Sequence, residues 1–211
     1  MYLARTPAIL KPLFSDLLWH MPREEQAVYL TFDDGPIPEV TPWVLDQLAE
    51  HGAKATFFCI GSNARSYPTI LQRILVEGHA VGNHTWDHRQ GWGCPDRAYF
   101  RSVLKARQWL KTDLFRPPYG KITRSQASAL SSRFRVVMWD VLSADFDTRI
   151  DGARCTRNVL DNVRSGSIIV FHDSLKAEPR LRVALPEVLR ALSVDGFAFR
   201  SLHSAKPGTH L

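Results

Sequence analysis

Beyond residue 25 the chain switches repeatedly between two textures. Short runs dense in β-branched and aromatic residues, such as those at 28–32 and 54–60, read as buried strands. Similar runs recur at 79–81, 114–115, 134–139, 167–171 and 197–202. Between them, apolar residues spaced three or four apart read as amphipathic helices over 40–50, 64–77, 96–112, 125–132, 152–163 and 181–192. Boundary residues agree with this division. Thr41 and Pro42 open the first helix, Gly52 follows its end, Gly78 stops the second, and Asp96 is expected to cap the third.

Strands that alternate with helices imply a parallel sheet with crossover helices. An open doubly wound sheet and a barrel both satisfy the pattern. Polar residues gathered just after the strands favour a distorted (β/α) barrel of about seven parallel strands, with its site at the C-terminal mouth. Residues 1–24 read as an amphipathic segment packed on the domain, with Leu10, Leu13, Phe14, Leu17 and Leu18 at helical spacing. Residues 25–211 read as one domain.

Composition narrows the class without changing the fold. The chain has 211 residues, 45% hydrophobic and 23% charged, which excludes a disordered chain, a collagen-like repeat and a disulfide scaffold. No run of 18 apolar residues predicts a transmembrane helix. Lys and Arg number 27 against 21 Asp and Glu, a net charge of +6. The cations are scattered, so a solvated basic surface is expected and no nucleic-acid partner. Cys59, Cys94 and Cys155 show no C-x-x-C spacing, which argues against a cysteine zinc site. Glycine-rich phosphate fingerprints are missing, so a nucleotide is not expected. Lys11, Pro12 and Asp16 break up the N-terminal apolar positions, so no secretory signal is recognised and a cytoplasmic location is expected.

The chemistry lies in the strand-end loops. Asp33-Asp34-Gly35-Pro36 follows the first strand, and His84 to His88 follows the third. Arg116 to Gly120 follows the fourth, Asp145-Phe146 lies in the segment after the fifth, and His172-Asp173 follows the sixth. If the strands are parallel, these loops share one rim. His84 and His88 are four apart, so on one helical turn both imidazoles point the same way, which suits one metal ion. Adjacent Asp33 and Asp34 cannot both face one spot. One can bind metal while the other stays free as a base. Two histidines and a carboxylate leave open positions for water and substrate, and also suit a non-haem iron oxygenase. The bland alternative for the Asp pair is a simple D-G-P turn.

In this order, T-F-D-D-G-P, H-T-x-x-H, R-P-P-Y-G and a late apolar strand ending in H-D resemble the polysaccharide deacetylase family, also called the NodB homology domain or carbohydrate esterase family 4. The resemblance spans residues 28 to about 202. It implies a distorted (β/α) barrel and a catalytic domain. It also implies a base at Asp33, a metal-binding carboxylate at Asp34, and histidine ligands at His84 and His88. Arg116 would orient the base, the Tyr119 N–H would be the oxyanion donor, and His172 would be the acid, partnered by Asp145. The ion would be Zn²⁺, with Co²⁺ or another divalent ion as alternatives.

Two positions depart from the family pattern: Phe146 stands where Trp is common, and Val170 where Leu is common. Both line the substrate pocket in the family. Asp173 reads as a local structural partner of His172. His51 and His79 read as structural and Trp139 as core; Trp86 and Trp92 flank the histidine loop, and Trp92 reads as either loop packing or a sugar-stacking surface. The implied activity is metal-dependent hydrolysis of N-acetyl groups on an amino-sugar-containing carbohydrate. A deformylase, another C–N amide hydrolase and a carbohydrate-binding protein without catalysis are the alternatives. The oxygenase reading leaves Arg116, Asp145 and His172 unused. The implied partner is an N-acetylated carbohydrate; no protein partner is implied.

Overall fold

The computed structural model of the chain describes residues 3–7 and 14–202. Eight strands run as β1 (Ala27–Asp33), β2 (Ala55–Cys59), β3 (Ala80–Asn83), β4 (Leu114–Phe115), β5 (Arg135–Val136), β6 (Val141–Leu142), β7 (Ile168–His172) and β8 (Ala198–Phe199). The helices are α1 (Thr41–Glu50), α2 (Gly61–Ser66), α3 (Pro68–Val76), α4 (Asp96–Leu110), α5 (Arg124–Ser131), α6 (Gly152–Leu160) and α7 (Glu178–Val194). Seven strands follow the order β5-β4-β3-β2-β1-β7-β6, all parallel, and β8 adds to the start of β1. The result is the distorted (β/α) barrel expected. β1 lies between β2 and β7 and every one of its residues is buried, which explains its apolar run.

Several boundaries differ from expectation, each for a local reason. The helix expected over 64–77 is two helices, α2 and α3, because Pro68 disfavours a helical conformation at Tyr67, which takes φ −126° and ψ 60°. Asp96 begins α4 but does not cap it; its carboxylate instead accepts from Gln126 Nε2 at 2.8 Å. The strand expected over 134–139 pairs with β4 only at Arg135–Val136. The chain then crosses to β7, forming the unexpected two-residue β6.

That crossing leaves β5 and β6 unpaired with each other, and the N-terminal segment occupies the gap. Leu18 N–H donates to Val136 O at 2.9 Å, and Met138 N–H donates to Leu18 O at 2.7 Å. Thr6 N–H donates to Asp140 O, and Leu142 N–H to Ala4 O. Helical spacing therefore misleads here. Phe14–Asp16 form a turn, Leu17 is buried, and Leu18 bridges to Val137. Unpaired backbone groups at the barrel's open side recruit this stretch as an extended filler. Leu10, Leu13, His203 and His210 lie outside the described residues.

Candidate active site

Strand register brings the chemical groups together. Asp33, the last residue of β1, pairs with His172, the last of β7. On the other side the ends of β2, β3 and β4 are aligned through Cys59, Asn83 and Phe115. All the strand-end loops therefore open on one rim, around a cavity of about 470 Å³. Asp33, Asp34, His84, His88, Tyr119 and His172 line it. Arg116 and Asp145 stand behind it, fully buried.

Asp33 and Asp34 diverge as their adjacency requires. Asp33 accepts from Arg116 Nη1 at 2.7 Å. The same guanidinium donates to Thr31 Oγ1, Val137 O and Met138 O, and lies 4.1 Å from the Phe58 ring centroid. Burial opposes ionisation of Asp33, but the charge and hydrogen bond of Arg116, aided by charged His172, outweigh it and hold the carboxyl below its usual range. Asp34 has φ +86° and turns its side chain to the other side. Its Oδ1 lies 3.2 Å from His88 Nε2 and 3.8 Å from His84 Nε2.

The histidine loop differs from the expected helical turn. Residues 84–90 form a bend in which Thr85 (φ 63°) and His88 (φ 57°) are left-handed. Thr85 N–H donates to Asn83 Oδ1, Arg89 N–H to Thr85 Oγ1, and Trp86 N–H to Ser102 Oγ on α4. These bonds, rather than helical spacing, bring the two imidazole rings to a centroid separation of 5.1 Å. His84 Nδ1 lies 2.8 Å from Arg116 O, and donating there leaves Nε2 as an acceptor facing the cavity. Burial pulls His84 down to about 4, which keeps it neutral.

One oxygen and two nitrogens, all within 4.8 Å of one another, make the one such cluster among the described residues. Asp34 Oδ1 is buried and has no hydrogen-bond partner in the protein. An orphaned carboxylate oxygen facing two imidazoles is the environment a divalent cation satisfies, so the donor set fits a metal ion.

On the opposite wall, His172 Nδ1 lies 2.7 Å from Asp145 Oδ1, and His172 N–H donates to Asp145 Oδ2 at 2.8 Å. Burial lowers the imidazole, but the Asp145 charge and hydrogen bond, aided by Asp34 and Asp33, push it up to about 9. Tyr119 sits in a single turn, Pro118–Gly120, at φ 60°. That turn closes through the N–H groups of Gly120 and Lys121, and the Tyr119 ring lies 4.7 Å from that of His88. Phe146 packs edge-on to His172, at 5.3 Å, and Val170 also lines the cavity.

Sequence reasoning missed several supporting residues. Arg180 on α7 is buried and donates to Asp145 O at 2.6 Å. Thr31 shares Arg116 with Asp33, and Asn63 donates to Asp34 O at 2.9 Å. A buried arginine on the inner face of a helix is the one local signal that could have flagged Arg180. Trp139, expected in the core, is half-buried and lines the cavity. His79 is a buried, neutral histidine pulled down to about 4 by burial, and its Nδ1 accepts from Ala55 N–H. Trp86 packs under Lys105 Nζ, 3.8 Å from its centroid.

Comparison with known proteins identifies the family. A sequence model described as polysaccharide deacetylase matches residues 20–133. A peptidoglycan-N-acetylglucosamine deacetylase of Bacillus cereus is 36% identical over 191 residues, covering 87% of this chain and 69% of that protein. A chitooligosaccharide deacetylase of Azorhizobium caulinodans is 34% identical over 200 residues, covering 85% of this chain and 94% of that one. A crystal structure of a peptidoglycan N-acetylglucosamine deacetylase superposes with a TM-score of 0.85 at 32% identity, over 93% of this chain and 95% of that chain. With its motifs, barrel and rim in agreement, the chain belongs to the polysaccharide deacetylase family.

Proposed function

We propose that the chain is a metal-dependent hydrolase that removes N-acetyl groups from an amino-sugar-containing carbohydrate. One observation carries the reading. A carboxylate paired with Arg116 and an imidazole charged by Asp145 face the same cavity as the Asp34, His84 and His88 cluster. The relatives named for deacetylation of peptidoglycan and chitooligosaccharides support the substrate class.

Asp34, His84 and His88 would hold one divalent ion. Two imidazoles and one carboxylate favour Zn²⁺, with Co²⁺ or another divalent ion as alternatives. When bound, the ion supplies Lewis-acid polarisation and lowers the pKa of water. Asp33, kept ionised by Arg116, takes the proton of the attacking water. The Tyr119 N–H donates to the oxyanion of the tetrahedral intermediate. His172, protonated by virtue of Asp145, gives its proton to the departing nitrogen, so the amine leaves neutral. Phe146, Val170 and Trp139 supply an apolar wall beside the reacting carbonyl.

Acetate release from N-acetylated chitooligosaccharides and from peptidoglycan, by zinc-loaded protein, tests the reading. Zinc-dependent release that falls at least about 100-fold in Asp33→Asn is the expected result. Release of formate from formylated sugars, with no acetate from either polymer, replaces it with the deformylase reading.

A further inference from the structure

We infer that Asp173 positions the metal ligand Asp34, by pinning the peptide units on both sides of it. The inference rests on the ligand assignment proposed above. Asp34 is left-handed, at φ +86°, a conformation that a non-glycine residue keeps only when its surroundings over-determine it. Those surroundings converge on one fully buried residue, Asp173, through both its backbone N–H and its side chain. The Asp173 N–H donates to Asp33 O at 3.1 Å, just before Asp34. Asp173 Oδ1 accepts from Gly35 N–H at 3.0 Å, just after it.

The clamp is itself oriented. Asp173 Oδ2 accepts from Thr41 Oγ1 at 2.6 Å, and Thr41 Oγ1 accepts from Ile37 N–H at 2.8 Å. The carboxyl group is therefore held on the turn through both of its oxygens. Approach is so close that a Cβ on Gly35 would lie 1.9 Å from Asp173 Oδ2, so glycine is required there by space. Asn63 completes the set from α2 by donating to Asp34 O. With its backbone held on both sides, Asp34 presents an otherwise unpartnered Oδ1 to His84 and His88. Asp173 follows His172, so one strand end carries the proposed acid and the clamp on the ligand turn.

Zinc titration of the metal-free protein, read beside its thermal stability, tests the inference. Asp173→Ala is expected to weaken zinc binding about 10- to 100-fold, the usual cost of losing a group that orients a ligand. Asp173→Asn keeps an acceptor for Gly35 N–H and is expected within about threefold of wild type, a rescue that bulk packing does not explain. If Asp173→Ala fails to fold, Thr41→Val removes only the orienting hydroxyl and is expected to lose at least about threefold. Wild-type zinc affinity in the Ala or Val variant, with a lowered melting temperature, makes Asp173 a packing residue and overturns the inference. So does an Asn variant as weak as the Ala variant. His84→Ala is the control: wild-type affinity there overturns the ligand assignment, and the inference with it.

Discussion

Replacing Asp145 by Asn isolates the charge that would make His172 an acid. In the wild type, burial lowers the imidazole, but the Asp145 carboxylate at 2.7 Å outweighs it and carries the group from 6.5 up to about 9. That interval corresponds to about 3 kcal/mol in favour of the imidazolium. The amide keeps the shape and one acceptor but loses the charge, so burial is then opposed only by the Asp34 and Asp33 charges and His172 is expected to titrate well below about 9. NMR titration of the imidazole in the metal-free protein reads this directly. Stability carries the same signature. A pKa raised on folding contributes stability fully below the unfolded value of 6.5, and that contribution is lost as pH rises through about 9. The gap in unfolding free energy between wild type and Asp145→Asn should therefore be widest near pH 6 and narrow by pH 9. A wild-type imidazole that titrates near 6.5, or a gap that does not change with pH, refutes the reasoning.

Further outcomes follow from the same geometry. Asp33→Asn should retain zinc while losing at least about 100-fold in turnover, whereas His84→Ala should lose both, as calorimetry and acetate release will decide. Zinc at 100 times its dissociation constant should add about 2.7 kcal/mol to the stability of the metal-free protein; a melting temperature indifferent to zinc counts against the site. Arg116→Met leaves the Asp33 charge buried without its partner and should cost about 3–5 kcal/mol in urea unfolding. Trp92, 53% exposed with its indole N–H held by Ile122 O, should act on longer oligosaccharides. Trp92→Ala is expected to raise KM for a tetramer about three- to tenfold and leave the monomer unchanged.

The ends of β1, β3, β4 and β7 could be read from sequence because each apolar run stops abruptly at a reactive side chain. Asp33, His84, Arg116 and His172 are all placed by that rule, and parallel register does the rest. The histidine loop could not be read in the same way. Its geometry depends on left-handed Thr85 and His88, in a bend held by Asn83 at Thr85 and by Ser102 of the next helix at Trp86. Strand β6 escaped notice because two residues are too few to show a period. The N-terminal filler escaped because Leu17 and Leu18 fit a helical repeat equally well, and only the gap beside β5 selects the extended form. Thr31, Asn63 and Arg180 gain their roles from partners at least 29 positions away, which local spacing does not encode.

Arg116 joins two jobs that selection usually treats separately. Its guanidinium binds β1 through Thr31 and Asp33, covers Phe58 of β2, and holds the carbonyls of Val137 and Met138 just past β5. A descendant that abandoned hydrolysis would still need this cross-tie to keep its barrel closed, so the arginine would outlast the activity. Asp33 has a weaker hold on the fold: without it the guanidinium keeps Thr31 Oγ1 and the carbonyls of Val137 and Met138, at the cost of a buried charge left without its counter-ion. If Asp33 is the base as proposed, loss of its carboxylate is the earlier mark of lapsed catalysis among chains of this architecture, and retention of the arginine records only that the barrel still folds.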